Sequence, residues 1–158
     1  MIQCSKCGKG KMRKGKIANH NIGALVGLGS VFLTKAPALV CSACSHVMLE
    51  GTVLDHAMQQ LARMIVEQAE ELRPEEVRYL RETLGMTQVE LAERLGISRV
   101  TLARWETACA PLARPSSLAL RSIVAWYLND AKLARQVASP GAAAAERHSP
   151  PYRLGHVA

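Results

Sequence analysis

The most regular hydrophobic pattern in the chain lies between residues 56 and 72. Apolar side chains there recur at spacings of three and four residues, which places them on one stripe of a helix. Asp55 precedes the stripe and is the expected N-cap. The stripe either connects two domains or packs on the residues before it, and the pattern alone leaves both open. The stripe residues are Met58, Leu61, Ala62, Ile65, Val66, Ala69 and Leu72.

Residues 73–129 carry a helical pattern throughout. Pro74 suits the first turn of a helix, which we predict to run to about Leu84 and to stop at Gly85. A later helix is predicted from about Pro115 to Asn129, and the segment from Leu118 to Leu128 is the best candidate for a dimer seam. The expected packing residues of this later helix are Leu118, Ile123, Trp126 and Tyr127.

The two ends of the chain have weaker patterns. Within residues 1–50, glycines interrupt the apolar positions, and we predict short strands within 16–33, 36–40 and 47–49. From Ser139 onward, Pro, Gly, Ala and charged residues follow without a period, which predicts disorder. The expected organisation is a β-containing module at 1–50, a bridging helix at 51–72, a helical domain at 73–138 and a disordered tail at 139–158. The expected fold class is mainly α with a small β-containing module at the N-terminus.

Charge adds to this picture because it is unevenly distributed. The net charge is +7, and residues 1–49 contain seven Lys or Arg residues and no acidic residue. Such an excess favours a polyanionic partner, although a basic protein that is merely soluble is the alternative. The apolar run Ile22–Leu33 is too short to span a bilayer, and we find no secretory signal. We therefore expect a cytoplasmic protein without a membrane partner, with reduced thiols.

Four cysteines form two CxxC pairs that are far apart in sequence. Cys4 and Cys7 form the first pair, and Cys41 and Cys44 form the second. Two such pairs can close a tetrahedral site for one structural Zn²⁺ per chain, with no position left for a catalytic water. An iron–sulfur cluster or a redox dithiol pair are the alternatives. We expect the neighbouring histidines His20, His46 and His56 to lie on the surface, and Cys109 to be a partly buried small apolar residue.

The segment from Gln88 to Glu106 has the spacing of a helix-turn-helix. Thr87 and Glu90 form an expected capping box at the first helix. Gly96 supplies the turn, and the Ser98 hydroxyl caps the second helix. The positions that bury the two helices against each other are apolar, namely Leu91, Ala92, Leu95, Ile97, Leu102 and Trp105.

The second helix of this motif is expected to enter the major groove of DNA. Arg99 is placed to bind guanine, Val100 and Thr101 to touch a thymine methyl, and Arg104 to reach a base or a phosphate. Gln88 opens the preceding helix, where its amide and nearby backbone N–H groups can bind a phosphate. The alternative is a helix-turn-helix used only for packing or dimerisation. The candidate DNA-binding residues are Gln88, Ser98, Arg99, Val100, Thr101 and Arg104.

The two halves in this order resemble the MqsA family, also called YgiT-type zinc-finger antitoxins. The resemblance rests on CSKCGKGKM, PALVCSAC and RPEEVRYLRETLGMTQVELAERLGISRVTLARWE, and it covers about residues 1–130. The helix-turn-helix alone indicates only the broad Xre/Cro-like class. The family implies a type II antitoxin whose zinc domain binds a toxin and whose C-terminal domain dimerises and represses its own operon at a palindrome.

Individual residues carry this resemblance to different extents. It implies that Cys4, Cys7, Cys41 and Cys44 are zinc ligands and that Arg104 matches a base-contacting arginine. The family has an asparagine one turn earlier, where this chain has Val100. The Gly-rich segment 17–36 and the tail also differ from the family pattern.

Two other functions compete with an antitoxin. A stand-alone regulator would use the same DNA chemistry without a toxin, and the acid-free N-terminal module suits phosphate contact. An enzyme is not expected, because the sequence shows no nucleophile–base pair, no phosphate-binding Gly-rich loop and no open metal site.

Overall fold

A computed structural model describes residues 2–68, 71–138 and 151–155 of the chain. It confirms the expected class, since a small strand module with four cysteines precedes a helical C-terminal region. Among the described residues, no helix combines the length and apolar character needed to cross a membrane. The elements in chain order are β1 (Met12–Ile17), β2 (His20–Asn21), α1 (Gly23–Val26), β3 (Val31–Thr34), β4 (Ala36–Cys41), β5 (Val47–Met48), α2 (Gly51–Glu67), α3 (Pro74–Thr83), α4 (Gln88–Leu95), α5 (Arg99–Glu106), α6 (Arg114–Tyr127), α7 (Ala131–Ala138) and β6 (Tyr152–Gly155).

The first sheet positions the second cysteine pair beside the first. Its strand order is β1-β4-β5, and both pairings are antiparallel. Met12 lies opposite Cys41, so β4 delivers Cys41 to the end of β1 that follows the first cysteine pair. Met12, Cys4 and Cys41 are all buried there as a small cluster apart from the main core.

The second sheet corrects the prediction of a disordered tail. Its order is β2-β3-β6, and β6 runs parallel to β3 with Tyr152 opposite Val31. Tyr152 and Leu154 are 1% and 0% exposed, so this part of the tail belongs to the core. The prediction of disorder was wrong for residues 151–155 because a strand this short has little pattern of its own and depends on a distant partner. Residues 139–150 and 156–158 lie outside the described residues.

Helix α2 begins one turn before its predicted start. Its N-cap is Glu50, so the prediction of Asp55 as the cap was wrong. Val53 and Ala57 continue the four-residue spacing toward the N-terminus and are buried, which explains the earlier start. The helix ends at Glu67, and Leu72 is buried outside it, shortly before α3. Ala69 lies outside the described residues.

Helix α2 packs against three later helices and the C-terminal strand. It contacts α3, α6, α7 and β6, and the Tyr79 hydroxyl on α3 donates to the backbone oxygen of Met58 at 2.9 Å. The main buried cluster therefore runs from Ile17 in β1 through α2 to Leu120 in α6. The strand module and the helical region share one core.

Helix α6 buries a different face from the one predicted. Leu120, Val124 and Ala125 are fully buried, whereas Trp126 and Tyr127 are 76% and 53% exposed. The prediction that both aromatic residues pack inside was wrong. Leucine and valine at a four-residue spacing occupy the core side of this helix, which turns the following aromatic pair outward.

Candidate metal centre and nucleic-acid interface

The two cysteine pairs sit in loops with the same backbone geometry. The N–H of Gly8 donates to the carbonyl of Cys4 at 2.9 Å, and the N–H of Ser45 donates to the carbonyl of Cys41 at 3.2 Å. Both donors have positive φ, 64° at Gly8 and 55° at Ser45, in the left-handed region that glycine adopts most readily. The two loops thus present their sulfurs in equivalent ways.

The four sulfurs lie at distances that suit one metal ion. The Sγ atoms of Cys4 and Cys44 are 3.8 Å apart, and those of Cys7 and Cys41 are 3.7 Å apart. A regular tetrahedron with metal–sulfur bonds of about 2.3 Å places its sulfurs about 3.8 Å apart. All four sulfurs lie within 4.8 Å of one another, so the predicted cluster is confirmed as a group that could hold a metal ion.

A glycine gives the cluster the space it needs. A Cβ atom at Gly10 would overlap the Sγ of Cys41 and would lie 2.8 Å from the Cβ of Ala43. The N–H of Gly10 also points at the Sγ of Cys7, 3.4 Å away. Backbone N–H groups and sulfur atoms therefore occupy the space around Gly10, and a side chain does not fit there.

Backbone N–H groups also favour the thiolate form at part of the cluster. The N–H groups of Gly10 and Lys9 lower the pKa of Cys7 to about 6. The N–H groups of Ala43 and Cys44 likewise lower the pKa of Cys41. At Cys44 the backbone N–H of His46 lowers the pKa, but burial and the neighbouring thiols outweigh it and raise the pKa to about 12. A metal ion that binds all four sulfurs would have to displace the proton of the Cys44 thiol.

The other candidate ligands lie outside the cluster. Among the described residues, the group of side chains close enough to share an ion consists of the four cysteines, without His20, His46 or His56. Cys109 is exposed, so the prediction that it is partly buried was wrong. It follows Ala108, whose φ of 60° turns the chain away from α5.

The helix-turn-helix has the predicted caps. The Thr87 hydroxyl accepts from the N–H of Glu90 at 3.3 Å, and the Glu90 carboxylate accepts from the N–H of Thr87 at 2.7 Å. Gly96 ends α4 with a φ of 65°, and the Ser98 hydroxyl accepts from the N–H of Thr101 at 3.1 Å. These contacts fix the ends of α4 and α5 and the turn between them.

An ion pair that the sequence pattern did not reveal holds α5 in place. Nε and Nη2 of Arg81 on α3 donate to Glu106 at 2.6 and 3.2 Å. The side chains of Arg81 and Glu106 are 12% and 4% exposed. The Gln88 amide donates to the same carboxylate at 2.9 Å, and Arg81 also donates to the carbonyl of Met86. One carboxylate at the end of α5 therefore connects α3, α4 and α5.

The predicted DNA-binding residues differ in how free their side chains are. Leu102 and Trp105 are buried on one side of α5, while Arg99, Val100 and Arg104 are exposed. The Thr101 hydroxyl lies 2.9 Å from the Ser98 hydroxyl, and the Gln88 amide binds Glu106. The Gln88 side chain is therefore held by the protein, which leaves backbone N–H groups at the start of α4 as the phosphate donors there. The DNA contacts themselves stay predictions.

Comparison with known proteins defines the class of this half of the chain. A helix-turn-helix family matches residues 77–123, a range that begins in α3 and ends in α6. No curated protein matches the chain. The geometry and this match make residues 77–123 a helix-turn-helix domain and support a DNA-binding transcription regulator. The family match agrees with the helix-turn-helix part of the resemblance to the MqsA family. The cysteine cluster agrees with the zinc-domain part of that resemblance.

Proposed function

We propose that this chain is the antitoxin of a type II toxin–antitoxin pair and represses its own operon. The observation that carries the proposal is the order of two units, a four-cysteine metal-binding module followed by a helix-turn-helix domain. The helix-turn-helix binds the operator, and the N-terminal module binds the cognate toxin. The resemblance to the MqsA family supports the toxin-binding role.

Helix α5 reads the operator in the major groove. Arg99 follows the capping Ser98 and is exposed, so its guanidinium can reach a guanine edge. Arg104 lies further along the helix on the solvent side and binds a base or a phosphate. Val100 is 57% exposed and presents methyl groups to a thymine. The Arg81–Glu106 pair holds this helix at a fixed angle to the rest of the domain.

A homodimer matches such a helix-turn-helix to a palindrome. The exposed Trp126 and Tyr127 support the α6 surface as the dimer seam, because large aromatic residues are enriched at interfaces. They lie within the segment Leu118–Leu128 proposed from sequence. The mass of the intact chain in solution, measured by sedimentation, tests this arrangement.

The metal in this proposal is one structural Zn²⁺ bound by Cys4, Cys7, Cys41 and Cys44. Iron–sulfur clusters bind their thiolates through different irons, which separates the sulfurs more widely than the 4.8 Å seen here. Four thiolates fill a tetrahedral ion, so the bound metal would stabilise the module without activating water. The chain accordingly acts by binding, in the bacterial cytoplasm, and is not an enzyme.

Co-expression with the neighbouring gene tests the antitoxin role. A toxin encoded next to this chain should stop growth when expressed alone, and co-expression of this chain should restore growth and yield a complex of the two proteins. A Cys41→Ser variant should lose the complex because its module lacks the metal. Failure of the intact chain to restore growth or form a complex would remove the toxin from the proposal.

A stand-alone regulator is the second candidate, and one observation favours it. The seven basic residues of the N-terminal module have no acidic neighbours in sequence, and none of them forms an ion pair with a described residue. Lys14 and Lys16 are exposed on β1, where they can contact phosphates beside the operator.

The salt dependence of DNA affinity separates these roles of the module. If Lys14 and Lys16 each bind a phosphate, replacing both by Gln in the intact chain should lower the salt slope by about 0.9 per phosphate released. Lys132→Gln on the exposed side of α7 is the matched control. An unchanged slope in the Lys14 and Lys16 variant would exclude phosphate binding there and favour a protein partner.

A further inference from the structure

A groove between β3 and α2 binds an extended segment of the chain. The edge of β3 that does not pair with β2 forms one wall, and Gln60 on α2 reaches across from the other. Val31 and Leu33 of β3 are fully buried along the base. We call this feature the strand groove. It offers backbone hydrogen bonds along one side and apolar contact beneath, as strand-binding sites in peptide-binding domains do.

Residues 152–155 occupy the strand groove through backbone and side-chain contacts. The N–H of Tyr152 donates to the carbonyl of Ser30 at 3.0 Å, and the Thr34 hydroxyl donates to the carbonyl of Leu154 at 2.9 Å. Tyr152 and Leu154 point inward, while Arg153 points outward and lies 5.6 Å from the Phe32 ring centre. The groove therefore accommodates an aromatic residue and a leucine two positions apart.

The end of the strand groove is a polar pocket around the Tyr152 hydroxyl. This hydroxyl lies 3.0 Å from Oε1 of Gln68 and in hydrogen-bond contact with the Glu76 carboxylate. Glu76 is 0% exposed and also accepts from the Gln68 amide at 2.8 Å. It accepts from Nε and Nη2 of Arg73 at 3.0 and 2.8 Å as well. The buried Glu76 carboxylate therefore accepts hydrogen bonds from several donors. One of these donors, the Tyr152 hydroxyl, comes from the tail.

The pocket lies at the junction between the two halves of the molecule. Gln68 follows the last residue of α2, and Glu76 lies in the first turn of α3, the helix where the helix-turn-helix domain begins. The Glu76 carboxylate also accepts from the N–H of Arg73 at 2.8 Å, which caps α3. A single hydroxyl from the tail thus contacts both sides of the α2–α3 connection.

We propose that the strand groove is a peptide-binding site whose ligand is residues 151–155 of the same chain, and that its occupation holds the α2–α3 junction in one conformation. The bound segment acts as a clasp between the strand module and the helix-turn-helix domain. The proposal rests on contacts within the chain and holds with or without a toxin partner.

Amide hydrogen exchange on the intact chain tests the clasp. Tyr152→Phe removes the hydroxyl and keeps the ring. Because Glu76 keeps its other donors, we expect exchange of the residue-152 amide to accelerate about 10-fold, near the low end for a hydrogen bond to a charged group. The Val77 amide, which donates to the Arg73 carbonyl at 3.0 Å, should accelerate with it. The Leu102 amide in α5 should not change.

Arg153→Gln is the matched control on the same strand. It removes only the outward contact with Phe32, so exchange of the residue-152 amide should accelerate no more than about 2- to 5-fold. Leu154→Asn provides a second disruption, because it places an amide in a fully buried site. This variant should release the segment and accelerate both the residue-152 and Val77 amides beyond the effect of Tyr152→Phe.

Four results would overturn the proposal. Exchange of the residue-152 amide in the unmodified chain at the rate of an unstructured peptide would show that the groove is empty in solution. An unchanged Val77 amide in both disruptive variants would show that the segment does not hold the junction. Equal acceleration of Leu102 would reveal a loss of global stability instead of a local clasp. Loss of residue-152 protection on hundredfold dilution would show that a second copy supplies the strand.

Discussion

Replacing Arg81 by Met tests how much the buried ion pair with Glu106 stabilises the packing of α5 against α3. The substitution keeps an unbranched side chain of similar length in α3 and removes the guanidinium. The Glu106 carboxylate, 4% exposed, would then keep the Gln88 amide as a neutral side-chain donor. Without the cation, this carboxylate remains an almost fully buried charge.

The expected cost follows from the burial of the pair. Breaking a buried ion pair by removing one partner costs about 3–5 kcal/mol, because the other charge is left uncompensated. The remaining Gln88 donor places Arg81→Met near the low end, at about 3 kcal/mol. With a urea slope of about 2 kcal/mol/M, the midpoint of unfolding should fall by about 1.5 M.

Tryptophan fluorescence during urea unfolding measures this change. Trp105 on α5 is 5% exposed in the folded chain, whereas Trp126 is already 76% exposed, so Trp105 dominates the signal change. Arg78→Met is the matched control in the same helix. Its partner Glu82 lies 3.0 Å away at the surface, so loss of this exposed pair should shift the midpoint of unfolding much less than Arg81→Met does.

The double variant Arg81→Met with Glu106→Leu decides the cause. If Arg81→Met is less stable because the Glu106 charge stays buried without its cation, removal of that charge should recover most of the lost stability. A loss below about 1 kcal/mol for Arg81→Met would refute the stated cost. A double variant less stable than Arg81→Met would show that lost packing, and not the unpaired Glu106 charge, causes the loss of stability.

Three further predictions concern the metal centre and DNA recognition. Cys41→Ser or chelation should unfold the N-terminal module, seen as lost dispersion of its amide signals, because metal binding and folding are coupled. Gly10→Ala should weaken metal binding in a competition assay with a chelator, whereas Gly15→Ala should not, since a Cβ there meets its nearest atom at 3.9 Å. Arg99→Ala should weaken operator binding by about 1–3 kcal/mol and relax specificity at one base per half-site.

Each of these predictions has an outcome that contradicts it. Retained amide dispersion after chelation would show that the module folds without metal. Equal metal affinity in the Gly10→Ala and Gly15→Ala variants would show that the neighbouring sulfur can shift to accept a methyl group. Equal losses on operator and random DNA for Arg99→Ala would make Arg99 a phosphate-binding residue.

Features that depend on nearby residues were predicted well from the sequence. The caps at Thr87 and Ser98 and the turn at Gly96 each involve partners within a few positions, so residue type and spacing suffice. The grouping of the cysteines followed from the spacing within each CxxC pair. The role of Gly10 was missed, because its need for an absent side chain arises only when Cys41 arrives from another strand.

Features that depend on distant partners were missed or predicted wrongly. Thr34 and Leu154 are 120 positions apart, and neither local pattern indicates that their strands pair. In the sequence, Arg81 and Glu106 are simply charged residues of two separate helices. Their pairing depends on how these helices pack together. Trp126 was predicted to pack inside, but Leu120 and Val124 occupy the buried side of α6 and Trp126 is exposed.

The parallel pairing of β3 with β6 has a consequence for how the chain folds during synthesis. All four cysteines have been made once Cys44 is complete, so the metal-binding sheet can form early. Strand β3 must wait for Tyr152, and until then its edge and the apolar side chains of Val31 and Leu33 lack their covering strand. An open apolar edge in a partly made chain invites pairing with other chains. Strand β3 therefore depends on Tyr152–Gly155, which are made more than 100 residues later, to cover this edge.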